Sequence, residues 1–381
     1  MKIVHIKTRF LNAGAEENTL YSCNWSVAHG DEVYLLIGPS ADEEILARVD
    51  PRVKIITIPT MVNPIAPLDD FRAFLAIVKV LKEIRPDIVH THTSKAGIVG
   101  RAAARLVGVK GIIHGVHIAP FLNVGLMPRI IYLTAERLVA GSTDAFISVS
   151  RGMRDAFLEE RLGPPDRHYV IYSGMDLDEF RSPKPIENWR DLLGCAEGEA
   201  KPPVILMLAA LERRKRHVEL IRAFERVLRV VPDARLVLAG EGGNRAAVEA
   251  AIAASSNPSR IRLVGFNSNP GGLIALADIA VHCAAREGLP RVVVQYAAAG
   301  VPVVMTNLPG IGEVVTDGVT GFVVGENDFD GLGDALVRLL TDSALLAKVR
   351  EGSRALDVSA WGIESMCRSN QVVYDTVMAQ P

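Results

Sequence analysis

Four consecutive basic residues are the clearest candidates for chemistry in this sequence. Arg213, Arg214, Lys215 and Arg216 stand in the segment ALERRKRH, directly after the apolar run VILMLAAL. The helix dipole disfavours cations at a helix N-terminus, so four of them there cost stability unless an anion shares the site. We therefore predict a clamp for a diphosphate group centred on Lys215, with a solvated basic turn as the alternative.

A second candidate is the stretch REGLPRVVVQYAAAGVPVV, residues 286 to 304. It has the pattern of a polar turn that leads into a buried helix, yet Glu287 opens it and Gln295 stands eight positions on, among apolar residues. Eight residues make a little over two helical turns, so the two side chains can share one face. We predict that both point at one ligand.

Two small-residue turns could bring backbone amides close to an anion. NAGAEEN, residues 12 to 18, places Gly14 between a strand and a helix that starts near Glu16, where N–H groups can approach a phosphate. A tight turn with a capped helix is the equal alternative. GEGGNR, residues 240 to 245, has Arg245 where a dinucleotide fingerprint has its third glycine, which favours a plain turn.

Histidines cluster near the ends of predicted strands. His114 and His117 flank Gly115 in GIIHGVHIAP, at the predicted mouth of a ligand cleft. For this pair, a catalytic role and a satisfied core position are equally good interpretations. We assign structural roles to the other strand histidines, which are His5, His90 and His92.

The sequence predicts no metal site. Asp176 and Asp178 in MDLDEF form an Asp-x-Asp pair, but this segment has the pattern of a turn in which aspartates cap the backbone. The four cysteines are scattered and lack zinc spacing, so we predict reduced thiols at Cys23, Cys195, Cys283 and Cys367.

The candidate residues follow short apolar runs that alternate with helix-length segments. IVHI, EVYLLIG, VKIITIP, DIVHTH, GIIHGVH and DAFISVS predict one set of parallel strands, and VILMLAAL, ARLVLAGEG, IRLVGF, IAVHCAA and VPVVMT predict a second set. The proline-rich stretch 181 to 203 between them predicts an interdomain linker. We therefore predict an α/β protein of two Rossmann-like parallel sheets facing a central cleft, with ligands at the carboxyl ends of the strands.

Composition narrows the class of protein. A chain of 381 residues fits two domains, and 49% hydrophobic with 23% charged residues is typical of a soluble globular protein. A net charge of −2 provides no basic surface for nucleic acid. MKIVHIKTRF predicts a strand rather than a secretion signal, so we expect a cytoplasmic protein. Residues 121 to 140 carry Arg129, Glu136 and Arg137 and predict an amphipathic surface helix, with peripheral membrane contact as the alternative.

These motifs together resemble the retaining glycosyltransferases of family 4, which have the GT-B fold. The resemblance covers nearly the whole chain through NAGAEEN, HTHTSKAGIVGRAAARL, HGVHIAP, SGMDLDEF, the run from LVGF to TGFVV and, most specifically, EGLPRVVVQYAAAGVPVVMTNLPGIGEVV. It implies an N-terminal Rossmann-like acceptor domain over 1–182, a linker over 183–203 and a C-terminal nucleotide-sugar domain over 204–360. A last helix within 361–381 would cross back to the first domain.

Enzymes of this family transfer a sugar from a nucleotide diphosphate donor, without a cofactor and usually without a metal. The resemblance implies that Lys215 binds the diphosphate and that Gly14 closes over it. It also implies that Glu287 holds hydroxyl groups of the donor sugar, while the backbone amides of Gly288 and Leu289 reach the sugar or phosphate.

His117 matches the family histidine that approaches the donor sugar near the reacting carbon. Two positions depart from the family pattern. Ala210 stands where an arginine is usual, so Arg213 or Arg214 would substitute for it. Gln295 stands where a second glutamate holds the nucleotide ribose.

The acceptor predicted from this resemblance is a glycan, a lipid-linked sugar or a small molecule, with action at the inner face of the membrane as one version of the cytoplasmic prediction. A nucleotide-sugar epimerase or hydrolase on the same fold is the alternative enzyme, and a sugar acceptor that stimulates nucleotide release would distinguish a transferase from both. A two-lobed protein that binds nucleotide sugars without catalysis is the third hypothesis.

Overall fold

The computed structural model describes residues 1–11, 13–63 and 65–380. The chain forms two compact units, Met1–Met175 together with the C-terminal segment from Ser359, and Asp176–Val358. The stretch 183–203, predicted to be a linker, lies within the second unit, and so do residues 176 to 182 of the predicted first domain. The chain from 361 onwards lies in the first unit.

The first unit is a parallel sheet with helices between its strands. Its sheet has the order β3-β2-β1-β4-β5-β6-β7. The strands are β1 Lys2–Phe10, β2 Glu32–Ala41, β3 Lys54–Thr57, β4 Ile88–His92, β5 Gly111–Val116, β6 Ala145–Ser148 and β7 His168–Val170. The helices are α1 Gly14–Ala28, α2 Glu43–Leu46, α3 Pro67–Ile84, α4 Ser94–Val107, α5 Leu126–Ala140 and α6 Arg151–Glu159. The sequence pattern predicted six of these strands and missed β7, which has only three half-buried residues.

The second unit repeats this arrangement. It contains α7 Asp178–Arg181, α8 Trp189–Leu193, β8 Val204–Leu208, α9 His217–Val230, β9 Arg235–Ala239, α10 Arg245–Ala253, β10 Ile261–Gly265, α11 Pro270–Leu276, β11 Ile279–His282, α12 Arg291–Ala298, β12 Val303–Thr306, β13 Gly321–Val324, α13 Phe329–Thr341 and α14 Ser343–Ala355. Its parallel sheet has the order β10-β9-β8-β11-β12-β13. Both orders reverse direction beside the first strand of their unit, as in doubly wound nucleotide-binding folds. The predicted α/β class with two Rossmann-like parallel sheets is confirmed.

Local sequence explains where the elements begin and end, and α3 is a clear example. Pro67 occupies the first turn, where its missing N–H costs no hydrogen bond. Ala73, Ile77, Leu81 and Ile84 repeat at helical spacing and are buried. The helix ends at Ile84, because Arg85 takes a left-handed φ of 52° and precedes Pro86.

A buried ion pair fastens α5 to α4. The guanidinium Nη2 of Arg101 donates to Glu136 Oε2 at 2.5 Å, and both side chains are almost fully excluded from solvent. Arg101 also donates from Nε to the Gly97 carbonyl at 2.8 Å and from Nη1 to Thr143 Oγ1 at 3.3 Å. Glu136 is therefore a core residue rather than part of the polar surface predicted for 121 to 140.

The last helix, α15 Ile363–Ala379, completes the core of the first unit. Met366, Val373 and Tyr374 pack in one apolar cluster with residues of β1, β4 and β5. Lys110 donates from Nζ to the Met378 carbonyl at 2.8 Å, close to the end of this helix. This segment is thus an integral part of the sheet's covering layer.

Candidate functional site

The four consecutive cations lie in the loop between β8 and α9. Arg213 to Lys215 form a single 3-10 turn, Arg216 has a left-handed φ of 59°, and α9 begins at His217. The neighbouring loop, which follows β11, holds this turn through a hydrogen bond from Ala285 N to the Arg214 carbonyl at 2.8 Å. The predicted placement of the cations at a helix N-terminus is confirmed.

Glu287, in that neighbouring loop, is the anion shared by two of these cations. Arg214 Nη1 donates to Glu287 Oε1 at 2.8 Å, and Lys215 Nζ makes a very short ion pair with the same oxygen. The Lys215 and Glu287 side chains are only 13% and 16% exposed. Burial alone would raise the pKa of Glu287, but Lys215 and Arg214 outweigh it and hold that pKa below its usual value. The site therefore contains an ionised carboxylate bridging two cations.

The outer two cations of the run have other surroundings. Arg216 donates from Nη1 to the Glu326 carbonyl at 2.5 Å, and its guanidinium lies 3.6 Å from the Glu326 carboxylate. Arg213 is exposed and makes no side-chain hydrogen bond or ion pair with any described residue. Lys215 and Arg214 are thus the cations that the fold directs at Glu287.

Helix α12 begins at Arg291, whereas the predicted helical spacing requires a helix from Glu287 onwards. Pro290 is the N-cap and Arg291 the first helical residue, so Glu287 lies in the loop before the helix. The prediction that eight helical positions relate Glu287 to Gln295 is therefore wrong, because only part of that interval is helical. Gln295 is half-buried on α12, and its side chain makes no hydrogen bond within the described ranges. Gly288 and Leu289 occupy the buried turn between Glu287 and the helix.

The glycines of GEGG are explained by a close approach of two loops. Gly240 and Gly242 both have positive φ, and a Cβ there would lie 2.0 Å from the Ala209 carbonyl oxygen and 2.5 Å from that of Leu211. Leu211 N donates to the Glu241 carbonyl at 2.8 Å. These contacts support the plain-turn interpretation of the segment.

The Asp-x-Asp pair caps its own turn, as predicted. Asp178 N donates to Asp176 Oδ1 at 3.1 Å, and Asp178 lies 3.5 Å from Arg181 across the first turn of α7. Both carboxylates therefore have local partners.

The glycine turn of the first unit opens α1. Asn12 lies outside the described residues, and the helix starts at Gly14, two residues before the predicted start at Glu16. Glu16 lies 3.7 Å from Lys7, a lysine of β1 that is 1% exposed and whose Nζ has no hydrogen-bond partner among the described residues. Burial lowers the pKa of Lys7, and the neighbouring Glu16 opposes that shift.

Four histidines of the first unit form a connected cluster. His5 Nδ1 lies 3.0 Å from His92 Nε2, and His92 Nδ1 lies 3.2 Å from His117 Nε2. His90 is hydrogen-bonded to the Tyr374 hydroxyl at 2.8 Å. Burial, followed by the nearby Lys7, lowers the pKa of His117 to about 3, and burial lowers that of His5 to about 3. Burial also lowers the pKa of His90 and His92 well below the usual value. All four imidazoles are therefore neutral at pH 7, including those for which we predicted a structural role.

The cluster borders a small cavity of about 20 Å³, which is room for one water molecule. Asn18, Asn370 and His90 each line it and each contribute a buried polar atom that has no partner in the described chain. Gly115 lies at its wall, where a Cβ would come within 3.0 Å of His92 Nδ1 and 3.2 Å of His117 Nε2. The backbone at Gly115 therefore leaves space only for the imidazoles. His114, which flanks it on the other side, is instead buried against Thr91, with Oγ1 3.0 Å from its Nδ1.

Sequence reasoning missed Lys7, His92 and His282 as parts of these sites. His282 ends β11, is fully buried, and has its pKa lowered to about 3 by burial and then by Lys215. One signal was available for the first unit. His5 and Lys7 alternate on β1, and His90 and His92 alternate on β4, so neighbouring parallel strands each present a pair of polar side chains to one face.

Helix α5 presents an apolar face to solvent. The large exposed residues on it are Leu126, Met127, Ile130, Ile131 and Leu138. At its C-terminal end lies a surface pocket of about 350 Å³ lined by Arg137, Arg161 and Arg167. Of these, Arg161 makes no ion pair with any described residue and has a left-handed φ of 56°.

In the described chain, no helix is both long and apolar enough to cross a membrane.

Two family models match the chain. The model described as Glycosyltransferase Family 4 matches residues 13–179, and that described as Glycosyl transferases group 1 matches residues 196–356. The first of these ranges includes His92 and His117, and the second includes Lys215 and Glu287.

Similar proteins of known activity come from several bacteria. The UDP-Gal:alpha-D-GlcNAc-diphosphoundecaprenol alpha-1,3-galactosyltransferase of Escherichia coli is 27% identical over 91% of this chain and 89% of its own. The GDP-mannose-dependent alpha-(1-6)-phosphatidylinositol monomannoside mannosyltransferase of Mycolicibacterium smegmatis is 31% identical over 68% of this chain and 69% of its own.

Solved structures share the fold. HepE of Anabaena in complex with UDP-glucose superposes with a TM-score of 0.78 at 21% identity, covering all of both chains. The sucrose-phosphate synthase of Thermosynechococcus elongatus superposes with a TM-score of 0.81 at 18% identity, covering 100% of this chain and 99% of that one.

Proposed function

Because the chain belongs to glycosyltransferase family 4 and has the GT-B fold, we propose that the cluster of Lys215, Arg214 and Glu287 is the donor site of this nucleotide-sugar-dependent transferase. The observation that carries the proposal is the buried Glu287 carboxylate shared by two cations of the β8–α9 loop. It lies in a loop that follows a parallel strand, where ligands of doubly wound sheets bind.

When the donor binds, its diphosphate replaces Glu287 as the partner of Lys215 and Arg214. A diphosphate attracts Lys215 and Arg214 more strongly than a single carboxylate does, because it carries more negative charge. Glu287 is then free to accept hydrogen bonds from hydroxyl groups of the donor sugar. The N–H groups at Gly288 and Leu289 and the exposed side chain of Arg213 are further donors for the same ligand, while Gln295 binds the ribose.

The reaction needs charge stabilisation at the leaving group. The bond between the anomeric carbon and the diphosphate oxygen breaks, and the acceptor oxygen forms a bond to that carbon on the same face. The acceptor's proton passes to the leaving diphosphate. Fixed cations near the departing oxygen lower the barrier, and one such donor contributes about 2.7 to 4 kcal/mol. His117 lies beside the donor sugar and Gly14 near the diphosphate in this proposal, and the reaction proceeds without a metal.

We further propose a lipid-linked acceptor, reached from the cytoplasmic face of a membrane. Two relatives, by name, act on a diphosphoundecaprenol-linked sugar and on a phosphatidylinositol mannoside. The exposed apolar face of α5 fits the surface of a bilayer, and the arginine-lined pocket at its end fits an anionic lipid headgroup.

Vesicle sedimentation tests this membrane contact. The protein should sediment with vesicles containing phosphatidylglycerol at low salt and less with pure phosphatidylcholine vesicles. The double variant Leu138→Asp with Arg161→Glu should lose that binding. Val372→Asp, which changes another exposed apolar residue, on α15, should retain it. Equal sedimentation of the double variant and the unchanged protein would contradict the assigned face.

Acceptor-dependent release of nucleotide tests the function itself. Purified protein is mixed with UDP-linked or GDP-linked sugars, with and without a lipid diphosphate sugar acceptor, and with or without a chelator. We expect nucleotide release that requires the acceptor, an extended lipid product with retained configuration, and no effect of the chelator. Release without acceptor would indicate a hydrolase, and isomerisation of the donor sugar an epimerase.

A further inference from the structure

His117 is the end of a chain of three imidazoles. Its Nε2 lies 3.2 Å from His92 Nδ1, and the other nitrogen of His92 lies 3.0 Å from His5 Nδ1. His92 is 3% exposed and His5 is fully buried, whereas His117 is partly exposed. The chain therefore runs from the core of the first unit to its surface.

Proton counting allows only two arrangements of this chain. A neutral imidazole carries one N–H and one bare nitrogen, and burial lowers the pKa of each of these groups far enough to keep them neutral. In the first arrangement, His5 donates to His92 and His92 donates to His117, which leaves the His117 proton on Nδ1. In the second, every proton is on the other nitrogen, and His117 donates from Nε2 to His92.

The buried end of the chain favours the first arrangement. His5 Nε2 is buried and has no hydrogen-bond partner among the described residues. The second arrangement would place an N–H on that nitrogen, and a buried donor without an acceptor is rarer in proteins than a buried acceptor without a donor. The first arrangement leaves only a bare lone pair there.

We propose that His92, itself held by His5, is a positioning residue that fixes His117 in the tautomer with its proton on Nδ1. His117 then presents an N–H donor, rather than a bare nitrogen, at its partly exposed edge. Its Nδ1 makes no hydrogen bond within the described ranges, so this donor is available to an oxygen of the bound sugar. The inference rests on the proposed function for its catalytic consequence, but the tautomer itself is a property of the free protein.

The same contacts disfavour a metal at this cluster. His5, His90 and His92 each offer a ring nitrogen within 4.8 Å of the others. Both nitrogens of His92, however, are already engaged by His5 and His117. Burial lowers the pKa of His92, followed by the neighbouring histidines and then by Lys7.

Nitrogen-15 spectra of labelled histidine read the tautomer directly. The His117 signals are assigned by their loss in His117→Gln. We expect Nδ1 of His117 to be protonated and Nε2 to be bare at pH 7.5 in the protein without ligand. In His92→Leu the preference of the His117 proton for Nδ1 should be lost, and in His5→Leu it should be lost only in part. His92→Gln should retain this preference, because its amide can still donate to His117 Nε2.

Steady-state kinetics tests the consequence for transfer. His92→Leu should lower kcat about fivefold to tenfold, the size of one hydrogen bond, while the donor KM stays within about twofold. His92→Gln should recover most of that loss. His90→Gln changes an equally buried histidine of the same strand that is outside the chain, and it should keep the His117 tautomer.

Three results would overturn the proposal. These are a His117 proton on Nε2 in the unchanged protein, an unaltered tautomer in both leucine variants, and a stoichiometric transition metal bound at the cluster in the purified protein. If no donor supports transfer, the proposed function fails, and the spectra still decide the tautomer on their own.

Discussion

At the residue scale, Glu287 explains how several cations can lie before α9. Lys215 and Arg214 both contact its carboxylate, which supplies the anion that the helix N-terminus requires. The pair is largely buried, so its attraction is weakly screened by salt. In the proposed donor site, a diphosphate that takes over these cations meets charges that are already positioned, and this lowers the reorganisation needed during transfer.

Gln295 gives a prediction at the same scale. Hydrogen bonds to charged groups contribute about 1.5 to 3 kcal/mol and neutral ones about 0.5 to 1.5 kcal/mol, so Gln295→Glu should tighten nucleotide binding, by less than about tenfold. A ribose diol can satisfy either side chain. Calorimetric titration with the free nucleotide compares the two proteins. Binding weakened more than about a hundredfold would mean that the amide donor is essential and that Gln295 contacts a group other than the ribose.

The sequence revealed these residues but not their pairing. Lys215 and Glu287 are 72 positions apart, and they meet because β8 and β11 are neighbours in the sheet. Local patterns predict that each loop follows a strand, but they carry no information on which strands are adjacent. The imidazole chain was missed for the same reason, since His5, His92 and His117 come from three consecutive positions in the sheet order.

At the element scale, the Arg101–Glu136 pair determines how firmly α5 is held. Glu136→Leu leaves the Arg101 guanidinium buried without its carboxylate, so the free energy of unfolding should fall by about 3 to 5 kcal/mol. Replacing both residues, Arg101→Met with Glu136→Leu, should cost less than the single change. Urea unfolding measures all three proteins.

A surface pair provides the control. Glu364 and Arg368 are mostly exposed on α15, so Glu364→Leu should change stability by less than about 1 kcal/mol. An equal effect of Glu136→Leu and Glu364→Leu would contradict the role of burial.

The boundaries of a helix can be predicted where proline residues mark them. Pro67 lies in the first turn of α3, and Pro86 follows shortly after its end. The start of α12 was not predicted correctly, because Gly288, Leu289 and Pro290 hold a turn that the apolar spacing cannot show. Glu136 was taken as a surface charge because its partner Arg101 lies on another helix.

At the scale of the whole molecule, histidine burial predicts how stability depends on pH. Eight of the nine histidines have a pKa below the usual value, with burial as the first cause in each. Below pH 6.5 the unfolded chain binds protons that the folded chain does not. Stability is therefore fully present above pH 6.5 and declines as pH falls, by up to about 1.4 kcal/mol per pH unit for each such group.

Urea unfolding between pH 8 and pH 5 measures this dependence. We expect a flat profile above pH 7 and a steep decline below pH 6.5, at pH values where aspartate and glutamate contribute little. A free energy of unfolding that stays constant between pH 7.5 and pH 5 would show that the histidines are not buried in the neutral form.

The central claim is that Lys215 binds the diphosphate of the donor and Glu287 binds its sugar. The binding affinities of two ligands test this claim most directly. Calorimetry compares the free nucleoside diphosphate with its sugar-linked form. Lys215→Ala should weaken both ligands and lower kcat by about 10² to 10³, whereas Lys348→Ala, an exposed lysine of α14, should change neither. Glu287→Ala should leave the free nucleotide bound as tightly or more tightly, while the sugar-linked form loses affinity. Loss of free-nucleotide binding in Glu287→Ala, or unchanged binding and turnover in Lys215→Ala, would contradict this account.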